Sequence, residues 1–537
     1  MKIAAIDIGS NSIHLVIMRA TPGQHLEIID REKDMARLGA GTLREHRLSK
    51  ETVERAINAL RRFKQVAESH GSDVILTTAT AAVREADNSD EFIETVRREV
   101  GIDIQLLPGV EEARLIALAV SEATDFNSQR GLIIDIGGGS TEFIVTRGGE
   151  PDLLSSLRLG SVRLTEKFIT TDPISDRERQ RLVSAIRAEF LRPASEIKAA
   201  GFDFVIGTSG TILNLVQMAV ESGRNAEASD FEPFSRTAGL DQIKKLNRKL
   251  TRMDVKERAR VQGIDKGRAD IIVGGGLLLE TVLSELGAKS ITTCDWSLRE
   301  GIVLNYLRKQ TVEQGFTESV SGEPVSETQI EDESLIANDV RTKSVLSVAR
   351  RYNYDRAHSH HVAMLATTIF DGARAIHQLG DAERRLLQYA ALLHDAGHYI
   401  AHNNHHRHSL YLIKHSEMPG FTGSEIAMLA VVVRYHRGSV PKKNIDKRAR
   451  REHEDFLALD ANQRETVLQL GAMLQIADAL DRSYQQLVSH ARCDVKGSEV
   501  LISVRGEGDC ELELWAADRK AKLFRDVFGV DVRFERV

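Results

Sequence analysis

The sequence predicts an α/β chain whose second half turns mainly helical. Three observations carry that expectation. A strand followed by a glycine turn occurs twice, as Met1-Lys-Ile-Ala-Ala-Ile-Asp7-Ile-Gly9-Ser10-Asn11-Ser12 and as Gly131-Leu-Ile-Ile-Asp135-Ile-Gly137-Gly138-Gly139-Ser140-Thr141-Glu142. Short apolar, β-branched runs alternate with helical periodicity up to about Leu307. From Val340 to about Leu487 the periodicity is mostly helical.

The first half is expected to open with paired strands, Ile3 to Ile8 and His14 to Met18, around the first turn. Ser49 to Ser69 reads as a helix, with Ser49 as N-cap and Val53, Ile57, Leu60 and Phe63 at helical spacing. Val74 to Thr78 reads as a strand. Glu111 to Ala123 reads as a helix opened by Pro108-Gly109, with two glutamates suited to the positive end of its dipole. From Asn127 the plan repeats. Asp176 to Leu191 is expected to be helical and to stop before Pro193. Phe204 to Ile206 leads as a strand into the small-residue turn Gly207-Thr-Ser209-Gly210-Thr211. Asp270 to Leu283 is an apolar helix carrying Gly274-Gly-Gly276, glycines that fit a close approach of backbone or ligand.

Glu313 to Asp332 is polar, aperiodic and interrupted by Gly322 and Pro324, the marks of a linker. Arg384 to His394, Ser424 to His436 and Glu465 to Asp481 read as amphipathic helices. Beyond them, Val500 to Val504, Glu511 to Trp515 and Val530 to Phe534 read as strands, with a short helix from Ala517 to Phe528. The domains drawn on this basis are 1–124, 125–307, a linker 308–339, a helical domain 340–489 and a small α/β unit 490–537.

Composition narrows the function. The chain has 537 residues, room for about three or four domains. Hydrophobic content of 42% and charged content of 28% are those of a soluble globular protein. No apolar stretch approaches the roughly 20 residues that cross a bilayer. The start of the sequence shows no signal-peptide pattern, so neither a membrane nor export is expected. Cys294, Cys493 and Cys510 lack metal-ligand spacing and fit a reducing cytoplasm. A net charge of −6 argues against a nucleic-acid-coating protein, so a polyanionic substrate requires a local basic groove.

The twin turns point to phosphate. Glycine lets backbone N–H groups approach an anion, and serine and threonine add hydroxyl donors. Gly9, Ser10, Asn11 and Ser12 of one turn, and Gly137, Gly138, Gly139, Ser140 and Thr141 of the other, are the candidate cradle. Asp7 and Asp135 end buried strands, where a carboxylate is costly unless a cation or partner is near. With Glu142 they are the candidate shell for a divalent cation. Glu111 and Glu112 are both candidates for a general base, and pattern alone does not choose between them. Arg84 and Arg37 are candidate phosphate ligands.

These motifs occur in order with Arg37-Leu-Gly39, Pro108-Gly-Val-Glu-Glu-Ala113, Gly207-Thr-Ser-Gly-Thr211 and Asp295-Trp-Ser-Leu-Arg-Glu-Gly301. Together they resemble the exopolyphosphatase/guanosine pentaphosphatase family of the actin-like phosphotransferase superfamily, over roughly the first 305 residues. The resemblance implies two actin-like (ribonuclease-H-like) domains facing a cleft, and Mg²⁺ (or Mn²⁺) in removal of a terminal phosphate. It implies Glu112 rather than Glu111 as the base and Asp135 as the residue that carries metal-linked water or orients the nucleophile. It also implies that Arg84 and the glycine-rich turns contact phosphate, with Ser209, Gly210 and Thr211 as the third turn.

Histidines crowd the second half between His358 and His436, with His402, His405, His406 and His408 in one loop. Imidazole with carboxylate is a common divalent-metal set. The arrangement His…His-Asp…Asp over helices resembles the HD phosphohydrolase superfamily, and so implies an all-α HD-type domain. His361, His394, Asp395 and Asp478 match its four ligand positions, a candidate second divalent-metal site. His408 and His436 are candidates for a further metal or for phosphate. Alternatively the region is structural packing, or Arg407, His408, Arg434, His436 and Arg437, with Lys442 and Lys443, line a path for a long polyanion.

The leading expectation is an exopolyphosphatase that hydrolyses inorganic polyphosphate from its ends. Guanosine pentaphosphate 5′-phosphohydrolase is the near alternative. Phosphotransfer from polyphosphate to ADP, and alarmone sensing without turnover, are the further ones. A homodimer is the expected assembly, two-fold dimers being the commonest.

Overall fold

The computed structural model describes residues 1–20, 26–222, 236–313, 339–401, 404–437, 440–441, 453–497, 499–506 and 510–537. Contacts divide them into two compact units, one within 1–313 and one within 339–537. The central part of the expected linker, with His402, Lys442 and Lys443, lies outside the described residues.

The first unit is built on two sheets of related topology. The first has the order β3-β2-β1-β4-β5, with β1 Lys2–Ile8, β2 Ile13–Arg19, β3 Glu27–Asp34, β4 Val74–Ala79 and β5 Ile104–Leu106. The second has the order β10-β11-β9-β6-β7-β8, with β6 Arg130–Ile136, β7 Thr141–Arg147, β8 Glu150–Leu157, β9 Phe204–Thr208, β10 Thr237–Gly239 and β11 Ser290–Thr293. Each begins with an antiparallel hairpin whose first strand runs parallel to a later one: β1 to β4, and β6 to β9. Both are actin-like lobes. In β1, Ile3, Ala4, Ala5, Ile6 and Ile8 are all fully buried, which is why the strand reads as a continuous apolar run rather than an alternation.

Between the sheets lies a shared apolar layer. Ile3, Ala5 and Val16 of the first sheet and Ile133 and Ile144 of the second pack with helices Gly109–Ala123 and Leu298–Glu313. A Cβ on Gly301 would collide with the Leu115 backbone, so glycine at this position lets the two helices touch. That layer fixes the start of helix Gly109–Ala123 against the turns of both sheets.

Ser49 caps helix Lys50–Ser69, accepting from Thr52 N–H at 3.3 Å. One helix runs longer than the sequence predicts. Asp176–Ala200 passes through Pro193 and ends at Gly201. A mid-helix proline costs roughly 3 kcal/mol. Continuing the helix buries Ala194 and Ile197 in the second lobe's core, which offsets that cost.

The second unit is a helical assembly with a small sheet. Its main helices are Val340–Arg351, Arg356–Gly372, Asp381–Leu393, His405–Lys414, Gly423–Tyr435 and Ala461–Ala479. Strands β12 His490–Lys496 and β13 Glu499–Arg505 pair antiparallel, and β14 Asp531–Arg536 joins β13 in parallel. Glu511–Lys520 is a helix, not the strand its alternation predicts. The alternating Leu512 and Leu514 do not form one buried face; the helix instead buries Glu513, Ala516 and Ala517 and leaves Leu512 and Trp515 exposed. Glu513 is retained inside by accepting from Ser483 N–H at 3.2 Å. All three cysteines are free and buried. Among the described residues no helix is long and apolar enough to cross a membrane.

Candidate active site

The two glycine turns are copies in geometry as well as sequence. Ile8 pairs with Ile13 and Ile136 with Thr141, leaving four loop residues in each hairpin. Gly9 N–H donates to Ser12 O at 3.1 Å, and Gly137 N–H to Ser140 O at 3.0 Å. A Cβ at Gly9 would stand 2.9 Å from Ser12 O, so the turn closes only around glycine. The turns also converge. A Cβ at Gly138 would fall 3.0 Å from Ser10 Cβ, and one at Gly139 would fall 2.8 Å from Ser10 Oγ. Ser10, Asn11, Ser12, Ser140 and Thr141 are all buried in this contact.

Four carboxylates gather beside the turns. Asp7 and Asp135 are the penultimate residues of β1 and β6. Glu142 faces Asp135 across the β6–β7 ladder, and Glu112 lies in the first turn of helix Gly109–Ala123. Burial pushes Asp7 up to about 7, against the opposing pull of Arg299. Burial takes Glu112 up to about 8, with Arg84 opposing and Asp7 and Asp135 adding to the rise. Asp135 rises to about 6 for the same first reason, restrained first by the hydrogen bond from Ser297. Glu142 is raised by burial and then by the charges of Glu112 and Asp135. Ser297 Oγ donates to Asp135 Oδ2 at 2.8 Å and Ser156 Oγ to Glu142 Oε1 at 2.8 Å. Asp7 Oδ1 is buried with no hydrogen-bond partner.

An all-oxygen cluster of this kind fits a hard divalent cation such as Mg²⁺. A cation would satisfy the orphaned Asp7 oxygen and remove the mutual repulsion that raises these groups.

The adjacent glutamates part ways. Glu112 is 7% exposed and accepts from Arg84 Nη1 at 3.2 Å. Glu111 instead binds Arg114 through both oxygens, at 2.7 and 2.8 Å, and Arg114 holds it below the usual carboxylate range. Arg84 ends the short helix Ala81–Arg84 after β4, and its Nη1 also donates to Leu107 O at 2.5 Å. Next to it opens a cavity of about 390 Å³ lined by His46, Arg84, Gly109, Ser140, Ser156 and Arg158, among others.

Two groups of expected phosphate ligands are engaged elsewhere. Arg37 donates to Asp270 at 2.6 Å and to Gly267 O at 3.1 Å, so its guanidinium ties the two lobes rather than covering the turns. In the third turn, Ser209 Oγ donates to Ile136 O at 2.7 Å, and Thr211 Oγ1 accepts from Arg268 Nη1 at 3.4 Å. The Arg268 guanidinium lies against Gly210 where a side chain would start. This turn is filled by protein, which explains its small residues without a ligand. Sequence reasoning did not single out Arg268, Ser297 or Arg299. The last two lay in the quoted Asp295–Gly301 motif, whose order in the chain was their only signal.

In the second unit, His394 and Asp478 converge with His358 rather than with the expected His361, and Asp395, 3.5 Å from His394, groups with His398 and His405. Asp355 caps helix Arg356–Gly372 by accepting from His358 N–H at 3.0 Å. Asp481, at 2.8 Å from His358 Nδ1, and the stacked Tyr484 hold residue 358 beside His394, while 361 lies nearly one turn further along the helix. The polyanion path also changes. His436 and Arg434 are buried, His436 within the same cluster, so among the described residues of that path Arg407, His408 and Arg437 remain reachable.

Two family models and several solved structures match the chain. The family model described as the Ppx/GppA phosphatase family matches residues 16–310, and that of Ppx/GppA phosphatase domain III matches 340–507. An exopolyphosphatase from Cytophaga hutchinsonii is 28% identical, with 57% of this chain and 98% of that one covered and a TM-score of 0.54. An exopolyphosphatase-like protein is 27% identical over 58% of this chain and 100% of its own, with a TM-score of 0.52. The Ppx/GppA family member of Aquifex aeolicus is 29% identical over 58% and 98%, with a TM-score of 0.49.

Proposed function

Because the chain belongs to the Ppx/GppA phosphatase family, we propose that it hydrolyses the terminal phosphate from inorganic polyphosphate. The observation that carries this reading is the meeting of the twin glycine turns with a buried carboxylate raised to about 8, Glu112. The turns offer backbone N–H groups and hydroxyls to the terminal phosphoryl group. Arg84, linked to Glu112, offsets its negative charge. Glu112 in its ionised form takes a proton from water held in line with the scissile bond, worth typically 10²–10⁴-fold in rate. Asp135, oriented by Ser297, directs that water.

Asp7, Asp135 and Glu142 would hold Mg²⁺ (or Mn²⁺), which supplies charge neutralisation on the phosphoryl oxygens. It would also favour ionised Glu112 over the protonated form.

The choice of polyphosphate over a nucleotide rests on the cavity. Arg84 and Arg158, with His46, give it two guanidinium groups for a chain of phosphates, beside the carboxylate of Glu85. Arg268 fills the third turn, which speaks against lodging ADP there. The deciding experiment measures phosphate released from long-chain polyphosphate and from guanosine pentaphosphate by one preparation, with ATP assayed after adding ADP. Release from polyphosphate at the higher kcat/KM supports the proposal. A clear preference for guanosine pentaphosphate refutes it in favour of the 5′-phosphohydrolase, ATP formation points to transfer, and silence in all arms to a sensor.

A further inference from the structure

The second glycine turn is held by its carbonyls, and three in a row are drawn to one helix, Ser161–Phe168. Ser161 N–H donates to Gly137 O at 2.9 Å. Gly138 O accepts from Val162 N–H at 2.9 Å and from Arg163 N–H at 3.1 Å. Gly139 O accepts from the Arg163 side chain, through Nε, at 2.8 Å. A Cβ on Gly160 would collide with the Gly138 carbonyl, so glycine there lets the helix start press against the turn.

A trans peptide points its C=O and the following N–H in opposite directions. Drawing the carbonyls of residues 137 to 139 to the helix therefore turns the N–H groups of Gly138, Gly139 and Ser140 away from it. Ser140 lines the cavity beside Arg84. This is the orientation an anion requires, since a carbonyl in place of the N–H would repel it.

The first turn is secured differently. Ser10 O accepts from Gly39 N–H at 2.6 Å, and Asn11 O from Arg37 N–H at 3.0 Å. Both donors are backbone groups of the same lobe, which gives the Arg37-Leu-Gly39 motif a task apart from its guanidinium. In the second turn the last carbonyl depends on a side chain, and that side chain reaches across the lobes. Arg163 Nη2 donates to Glu85 Oε1 at 2.8 Å, the two side chains being 14% and 8% exposed. The other Glu85 oxygen is buried without a hydrogen bond, and Arg158 Nε stands 3.8 Å from Oε1. Glu85 directly follows Arg84. A Cβ on Gly139 would fall 2.8 Å from Ala81 Cβ, so the turn touches the short helix that carries Arg84. Glycine at 139 leaves its peptide free to rotate unless something outside the turn holds it.

We propose that Arg163 is the positioning residue of the second turn and that Glu85 is its tether. With the lobes in contact, the guanidinium spans Glu85 and Gly139 O and sets the Ser140 N–H for the terminal phosphoryl group. With the lobes apart it has no partner on the far side, so this donor is fixed only in the closed cleft. The inference rests on the reading of the cleft as a site of phosphoryl hydrolysis. It adds that the anion cradle is completed by contact between lobes and is not built into one of them.

The test compares two variants of the full-length chain. Arg163→Ala should lower kcat by about 10²-fold, the cost of misplacing one oriented donor, with KM within a few-fold. It also leaves Glu85 buried without that cation, so its Tm should fall. The double variant Glu85→Ala, Arg163→Ala removes the buried charge. Its Tm should return toward that of the unmutated chain while the loss of kcat persists. Recovery of kcat together with Tm, a kcat within a few-fold of the unmutated chain in either variant, or a double variant that does not fold overturns the proposal, because each makes the pair structural only. The ratio of variant to unmutated turnover is taken on polyphosphate and on guanosine pentaphosphate. A substrate preference that refutes the proposed function therefore leaves this ratio readable. In a chain inert on both, the affinity for inorganic phosphate, read by calorimetry, takes its place: a loss of about 10-fold in the double variant supports the proposal, and an unchanged affinity overturns it.

Discussion

The cleft of the first unit and the cluster of the second both bury acidic side chains, and they are answered in opposite ways. In the cleft the neighbours are other carboxylates, only partly offset by Arg84 and Arg299. Asp7, Glu112, Asp135 and Glu142 are pushed up by burial, and Glu112 and Glu142 further by their acidic neighbours. In the helical unit the neighbours are imidazoles. There Asp395 and Asp478, although burial opposes it, are held well below the usual carboxylate range by His394, His358, His405 and His436. The first arrangement calls for a hard cation and holds a base near neutrality. The second fixes its carboxylates in the ionised form. Burial alone therefore does not say what a carboxylate does; the charge of its neighbours does.

The largest expected effect separates the two glutamates at the head of one helix. Glu112→Gln should lower phosphate release from polyphosphate by about 10²–10⁴-fold, while Glu111→Gln stays within a few-fold of the unmutated chain. Steady-state rates check this, and equal losses in both variants would break the assignment.

Arg84→Ala removes the cation that opposes the rise of Glu112. A drop of about 10–100-fold in kcat/KM is expected, equivalent to about 1.4–2.7 kcal/mol of transition-state stabilisation. A loss confined to KM would reduce Arg84 to uniform substrate binding.

The pH dependence sharpens the contrast further. The base acts ionised, so activity should rise with pH as Glu112, near 8 without a cation, loses its proton. Increasing Mg²⁺ favours the ionised form and should move that acidic limb down by about one pH unit. A limb indifferent to Mg²⁺ would detach Glu112 from the metal shell.

Stability should follow the same linkage. The folded cation-free cleft binds protons more tightly than the unfolded chain, because Asp7, Glu112 and Asp135 are raised. The stability this contributes is complete below the unfolded carboxylate pKa near 4 and is lost as pH rises through about 6 to 8. Added Mg²⁺ should therefore raise Tm by more at about pH 8.5 than at about pH 5.5. A larger gain at the lower pH, read by calorimetry, would contradict this.

The smallest effect belongs to the displaced histidine. His361 lies outside the ligating group, so His361→Gln should shift Tm and transition-metal content far less than His358→Gln. Equal losses in the two would restore residue 361 to the site.

The sequence by itself determined the twin strand–turn units, the helix opened by Glu111 and Glu112, and the clustering of histidines, because these depend on periodicity and turn chemistry within a few residues. It did not determine which glutamate faces inward. Arg114 captures Glu111 and is itself held by Asn305, from a helix nearly two hundred residues away. Nor did it determine the choice of His358 over His361, which differ by about one helical turn: His358 is held by Asp481 and the stacked Tyr484, both more than a hundred residues away in the chain. The engagement of Arg37 by Asp270, and of Gly210 by Arg268, likewise came from contacts distant in the chain or across the lobes. Local pattern specifies which elements form and which chemical groups they carry. Only packing between elements fixes the few ångströms and the rotation that decide whether a carboxylate meets an arginine, another carboxylate or an imidazole.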